Sequence, residues 1–380
     1  MLNKIQTLKP MQDNLRFGLS HDYCDNGKTL AVRAHDQSTK QDMLIIYKKQ
    51  LSQFVQDETY RPTWWRENWQ VAIRGINNSI YFVAIDTEQR IGHVIQYRNG
   101  VFRTMFSIDN CENTLGMNDK SIAVSADENT IAVTYFKVKH DIENSVILYS
   151  SNITVYDVAQ NTQHTVEKDS ASDFNRIWSF RSLAIANNCL VAGSPDLTFG
   201  ENSSDTMDRE YQGTGACVDV FGLDGVHART IVARDATPGN FFGTEIETSA
   251  DGNTLIVMAP AQDHKLGCAY KYQHIDNMWL QTGKFAPRDI PIHTTIKYSL
   301  YGCCINDNGS KFLLSDGLYG ALYLYHNDQL VHTHKDSNSK WFGFDIKTNP
   351  QFSEVAVIEK DVSFSRNRDG VVHVFEISDK

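Results

Sequence analysis

The sequence predicts an all-β fold, a seven-bladed β-propeller of four-stranded antiparallel blades with an N-terminal strand closing the last blade. Three observations predict it. A stretch with the character of FFGTEIETSADGNTLIVMAP, residues 241–260, recurs along the chain. Each copy is followed by an apolar run that ends in an aromatic residue, at Tyr47, Tyr97, Tyr156, Phe221, Tyr272, Tyr325 and Phe375. The last of these units runs out at VHVFEISDK without a fourth strand, while NKIQTLKP at the N-terminus has the pattern of one. Fixed-period self-similarity of this length marks repeat architectures, whose units bury their faces only by stacking on one another.

The copies follow in order: FGLSHDYCDNGKTLAVRA from Phe17, WQVAIRGINNSIYFVA from Trp69, LGMNDKSIAVSADENTIAVT from Leu115, and WSFRSLAIANNCLVAGSP from Trp178. After the copy at 241–260 come YSLYGCCINDNGSKFLLS from Tyr298 and FGFDIKTNPQFSEVAVIE from Phe342. Inside each, apolar residues alternate and β-branched and aromatic types dominate, which is strand chemistry. Asn26-Gly27, Asn77-Asn78, Asn187-Asn188, Asp251-Gly252 and Asn308-Gly309 punctuate the runs with residues that tolerate the positive φ of tight hairpins. A weaker fourth run follows each terminal aromatic, as in QLSQFVQ from Gln50 and WLQTGKF from Trp279. The expected blades span residues 17–57, 65–106, 115–167, 178–234, 242–286, 298–334 and 342–377, with residues 3–9 as the outer strand of the last, in one domain over 1–380. Pairing the chain ends in one blade also covers a sheet edge that would otherwise invite aggregation.

The pattern of Phe-Gly, then a DGNTL-like turn, then a run ending near Ala-Pro and a Gly-aromatic strand, resembles the FG-GAP repeat of integrin α-subunit propellers in its short form. The stretch from Phe241 to Gln273 is its clearest copy. The resemblance implies a propeller that binds other macromolecules. Calcium-binding members of that family carry DxDxDG in the loop between the first two strands, because hard cations need several carboxylate oxygens. Here DYCDNG from Asp22, ETSADG from Glu247 and CINDNG from Cys304 lack the three spaced acids, so no metal or other cofactor is expected.

Composition narrows the partners. With 46 acidic against 36 basic residues and a net charge of -10, the chain lacks the concentrated basic surface that phosphate backbones require, so nucleic acid is not an expected partner. No apolar run is long enough to span a membrane, and MLNKIQTLKP has no signal-like apolar core, so no membrane insertion is expected. The expected setting is the cytoplasm, or assembly into a virus particle or other large complex. Seven cysteines, an odd number with no CxxC pair, read as reduced structural thiols.

Catalytic motifs are missing: G-x-S-x-G, H-E-x-x-H and P-loop spacings do not occur, nor does a WD-dipeptide signature. SADENT at Ser125 and SADGNT at Ser249 share the opening of the sialidase Asp-box but not its later residues, and read as turns in which Asp bonds its own backbone. His332 and His334 alternate on one strand face with no ligand set to complete a metal site. The aromatic-small pairs Phe17-Gly18, Trp178-Ser179, Phe242-Gly243, Tyr298-Ser299 and Phe342-Gly343 recur too regularly for a ligand site and read as anchors between sheets.

What departs from the repeat carries the functional expectation. Two insertions, from Tyr135 and from Ser194, fall between the second and third strands of neighbouring blades and emerge on one face with TYRPTWWREN. Long loops in compact domains concentrate function. The expected binding residues are Trp64, Trp65, Tyr135, Phe136, Phe199, Asp205, Asp208, Arg209 and Tyr211, because interface hot spots favour Trp, Tyr and Arg. The sequence thus points to a non-enzymatic binding, adhesion or scaffold propeller that contacts a protein or glycan partner. The rival reading is a propeller enzyme acting on glycans, glycosidase- or sialidase-like, which no motif supports.

Overall fold

The computed structural model describes residues 1–10, 12, 14–65, 73–86, 88–111, 113–114, 121–141, 146–171, 180–186, 188–195, 216–236, 240–262, 267–286, 300–336, 341–360 and 370–378. These form antiparallel sheets with almost no helix, the architecture of a seven-bladed β-propeller.

In chain order, β1 (Leu2–Leu8) is followed by blade 1: β2 (Leu15–Cys24), β3 (Thr29–Asp36), β4 (Gln41–Gln50) and β5 (Gln53–Tyr60). Blade 2 holds β6 (Ile73–Ile76), β7 (Ser79–Asp86), β8 (Ile91–Arg98) and β9 (Val101–Asp109). In blade 3 the first strand comes in two pieces, β10 (Asn113–Thr114) and β11 (Ile122–Val124), which both pair with β12 (Thr130–Asp141) ahead of β13 (Val146–Asp157) and β14 (Thr162–Ala171). Blade 4 is β15 (Ser182–Ala186), β16 (Cys189–Ser194), β17 (Cys217–Gly222) and β18 (His227–Ile231). Blade 5 is β19 (Ile246–Thr248), β20 (Thr254–Ala259), β21 (Cys268–Ile275) and β22 (Met278–Phe285). Blade 6 is β23 (Leu300–Ile305), β24 (Lys311–Asp316), β25 (Ala321–His326) and β26 (Gln329–Lys335). Blade 7 is β27 (Phe342–Thr348), β28 (Glu354–Lys360) and β29 (Gly370–Ile377), completed by β1.

The chain packs as two compact units, one of Met1–Asp109 with Leu300–Lys380 and one of Asn110–Ser299. The first holds blades 1, 2, 6 and 7. There the expected closure is present: β1 runs antiparallel to β29 from Leu2 opposite Ile377 to Leu8 opposite Val372. The Gln6 side chain extends the closure to blade 1 by pairing like a strand with Phe54, donating to its carbonyl at 2.9 Å and accepting from its amide at 2.7 Å. Between blades 1 and 2 the first strands approach so closely that a Cβ on Gly75 would lie 1.6 Å from the Tyr23 carbonyl oxygen. No other residue fits there. His21, fully buried on β2, reaches the Ala356 carbonyl at 3.0 Å and the Asp345 carboxylate at 3.3 Å, joining blade 1 to blade 7.

The second unit holds blades 3, 4 and 5. Its central strands read as continuous apolar runs, such as TLIVMA in β20, where every residue is buried. The outer β22 instead alternates, with Met278 and Leu280 exposed and Trp279 buried. Strands covered on both faces need apolar residues at every position, and a strand with one wet face needs them at every second.

The turns behave as the sequence implies. Ser125, Asp127 and Thr130 form a closed loop in which Asp127 accepts from the Ser125 hydroxyl at 2.6 Å and the Thr130 amide donates to Ser125 at 2.9 Å. Ser249, Asp251 and Thr254 repeat it, and Asn306, Asn308 and Lys311 repeat it with amide side chains. The left-handed residue of the turn is Glu128, Gly252 and Gly309 in the three copies. These segments are structural turns.

Candidate interaction face

Of the residues expected to contact a partner, Trp64 is partly exposed and rests edge-on against His93, with ring centroids 4.8 Å apart. Trp65 is a core residue, fully buried and stacked on Phe82 at 5.6 Å. Its backbone carbonyl accepts a hydrogen bond from the Asp42 amide, which pulls the connection inward. Tyr135 is likewise buried, its hydroxyl 3.1 Å from that of Thr154. The reason is that the chain after Tyr135 is no loop: it continues β12 to Asp141 and returns as β13, so Tyr135 and the half-buried Phe136 sit mid-ladder, opposite Asn152 and Ser151. Phe199, Asp205, Asp208, Arg209 and Tyr211 lie outside the described residues, as do Trp178, Tyr298 and Ser299.

Beneath this end of blade 1 lies a buried polar network. Arg33 donates to Asp42 at 2.9 Å, and His35 Nδ1 lies 3.1 Å from the other oxygen of the same carboxylate. All three are essentially without solvent contact. Nearby, burial pushes the Asp36 carboxyl up, but hydrogen bonds from Ser38 and Thr39 outweigh it and hold the group below its ordinary 3.8. A buried ion pair of this kind fixes geometry more than it adds stability. Among the described residues no group of three His, Cys, Asp or Glu side chains is arranged to hold a metal ion. His334 packs on Phe342 and Phe375, at 5.8 and 4.9 Å between ring centroids.

The structure brings together a different set of aromatic residues at the same end of the blades. Tyr301 follows the first residue of β23, Trp341 precedes β27, and Phe344 lies on β27. The ladders of both strands shift register here, between Leu300 and Gly302 and between Phe342 and Asp345. A bulge turns a side chain out of its ordinary alternation, and all three rings are partly exposed. Tyr301 stacks on Phe344 at 5.5 Å and 27°, and Trp341 meets Tyr301 edge-on at 5.6 Å. Lys360, the last residue of β28, holds its ammonium 3.3 Å from the centre of the Phe344 ring. Gly317, in the turn after β24, lets the group close, because a Cβ there would meet Tyr301 at 3.0 Å.

Two features mark this group as built. Trp341 has φ +75, a left-handed backbone that costs a bulky residue free energy and persists only where the surroundings impose it. Burial, with the Asp316 carboxylate adding to it, pushes the Tyr301 phenol up to about 12, which reflects how far the neighbouring rings and strands enclose it. The sequence held a signal for this group. Trp341-Phe342-Gly343-Phe344 has three aromatics in four residues, and only Phe342 can be the anchor between sheets.

A propeller with a cation-capped aromatic cluster at one end of two blades is the class of protein that fold and site define. No protein-family model matches the chain, and no curated protein matches its sequence. By structure it is similar to the β-propeller domain of Cps50 (Swd1) from Myceliophteria thermophila, with a TM-score of 0.59, 10% identity and 100% of each chain covered. It is also similar to KlHsv2 with loop 6CD replaced by a Gly-Ser linker, with a TM-score of 0.52, 11% identity and coverage of 94% and 96%. A functionally unknown protein from Desulfotomaculum acetoxidans DSM 771 gives a TM-score of 0.50 at 11% identity, with 83% and 84% covered. At such identities the likeness establishes the propeller fold.

Proposed function

We propose that this protein is a non-catalytic propeller that binds a protein partner through the end of blades 6 and 7 where Tyr301, Trp341 and Phe344 meet. The single observation that carries this reading is the half-buried, mutually stacked aromatic group under Lys360. Such rings offer large contact area with little side-chain entropy left to lose, and Trp and Tyr with an adjacent cation dominate binding hot spots. The non-catalytic part of the reading is supported by where the buried ionisable groups are spent. Arg33 pairs with Asp42, Lys49 with Glu354 and His373 with Glu359, and Asp22 accepts from the backbone amides of Tyr23 and Gly75. Within this reading the Phe-Gly anchors support kinship with short FG-GAP propellers, and an adhesion module or a structural part of a virus particle or other large assembly is the setting.

The experiment is comparative capture from the native source by the wild-type chain and by Trp341→Ala, Phe344→Ala and Trp64→Ala variants. A partner lost by the first two and kept by the third supports the proposed face. A partner kept by both blade 7 variants refutes it, and loss only with Trp64→Ala moves the site to blade 2. Release of sugar from a glycan array by the purified chain would overturn the non-catalytic reading.

A further inference from the structure

A second surface, independent of the face above, lies on blades 4 and 5. Between β18 and β22 runs a groove of about 440 Å³. Its floor is apolar: Ile231, Tyr272 and Trp279 are buried beneath it. Its rims keep large apolar side chains in water, with Val232 57% exposed, Met278 47% and Leu280 36%. Arg229 and Arg234 stand on the same lining.

The charges are what set this groove apart. The chain carries a net -10, yet neither guanidinium makes an ion pair among the described residues. The acids beside them in sequence and strand register are already engaged. Asp235 accepts from Lys284 at 2.6 Å and from Tyr270 at 2.8 Å, and Asp219 accepts from Thr230 at 2.8 Å with His227 beside it at 3.4 Å. Two cations without an ion pair among the described residues thus flank an exposed apolar strip. The groove walls also offer backbone. β18 and β22 are the last strands of their sheets, so each has a ladder edge with no strand beside it among the described residues.

We propose that this groove is a docking site for an extended acidic peptide, with carboxylates on Arg229 and Arg234 and alternate apolar side chains on Val232, Met278 and Leu280. An extended chain points successive side chains to opposite sides, which matches an apolar strip bordered by charge, and a free strand edge supplies main-chain hydrogen bonds. Charge complementarity gives the site its selectivity and its dependence on salt.

Fluorescence anisotropy with a short labelled peptide of alternating glutamate and leucine tests this, using its lysine-leucine counterpart as control. The expected result is saturable binding of the acidic peptide that weakens with added salt and drops by about tenfold or more in Arg229→Glu/Arg234→Glu. Leu280→Ser should weaken it as well, and Leu51→Ser, on an exposed turn of blade 1, should not. These positions are exposed or half-exposed, and an unchanged melting curve establishes that each variant is folded. Equal binding of the lysine-leucine peptide, or undiminished binding by the double arginine variant, overturns the proposal. So does displacement of the peptide by anionic phospholipid vesicles that neutral vesicles do not reproduce, since the groove would then be a lipid surface.

Discussion

The rings of Phe242 and Tyr272 meet 6.1 Å apart at 69°, an aromatic at the start of a blade set edge-on against an aromatic within its third strand. The same pair recurs as Phe17 with Tyr47 at 6.3 Å and 77°, and as Phe342 with Phe375 at 5.7 Å and 71°. In blade 4 it is Phe180 with Phe221, at 5.8 Å and 74°. Phe180 thus fills the anchor position among the described residues of that blade, and the expected Trp178 lies outside them.

This repeated contact gives a stability prediction. Phe242 and Phe180 are both fully buried, so Phe242→Ala and Phe180→Ala should each cost about 3–5 kcal/mol in urea unfolding. A cost below about 1 kcal/mol for Phe180→Ala would return the anchor role to another residue.

The pairing of Leu2 with Ile377 predicts what truncation does. Removing residues 2–8 uncovers the whole edge of β29 and the cores under Leu2 and Leu8. The melting temperature should fall and aggregation should rise, measured by scanning calorimetry and light scattering. Gln6→Ala removes only the two bonds to Phe54, and about 1–2 kcal/mol is the expected loss.

Acid should weaken the fold in two stages. Burial pushes His332, His334 and His373 below their ordinary 6.5, for His373 against the opposing pull of Glu359. A histidine with a depressed folded pKa favours the native state above the unfolded value, because there both states are neutral. As pH falls from 6.5 through the folded pKa, the unfolded chain takes up protons that the native chain refuses, so stability drops. Asp127, lowered first by the Ser125 hydroxyl, and Asp36 and Asp235, where hydrogen bonds override burial, add a second loss below about pH 4. Denaturant midpoints from pH 7 to 3 check this, and His373→Gln should flatten the first stage.

All seven cysteines are free thiols, and Cys189 alone is more than marginally accessible. Burial raises its pKa despite Arg229, so it should react slowly with iodoacetamide in the native state, ahead of the other six. Mass spectrometry after timed quenching identifies the modified residue. Early labelling of Cys217 or Cys268 would contradict the packing of blades 4 and 5.

The repeat was legible because its causes are local. Alternation in β22, the unbroken apolar run of β20 and the hydroxyl-carboxylate turn at Ser249 are each dictated by residues within a few positions of one another. The expected site was not legible in the same way. Tyr135 reads as a loop aromatic because nothing in its neighbourhood reveals that β12 and β13 continue their ladder for twelve residues each. Trp64 and Trp65 are adjacent in sequence, yet one is partly exposed and the other buried, a difference set by the bond from Asp42 that turns the backbone between them and the core.

By itself the sequence determined the number of blades, the strand period and the return of the N-terminal strand to the last blade, since hydrophobic alternation specifies both a strand and its buried side. Which aromatic faces a neighbouring sheet and which faces water was decided only by tertiary structure. At the bulge around Gly343, where φ is +88, the alternation breaks, and the packing of blade 6 against blade 7 sends Phe342 inward and leaves Trp341 and Phe344 at the surface.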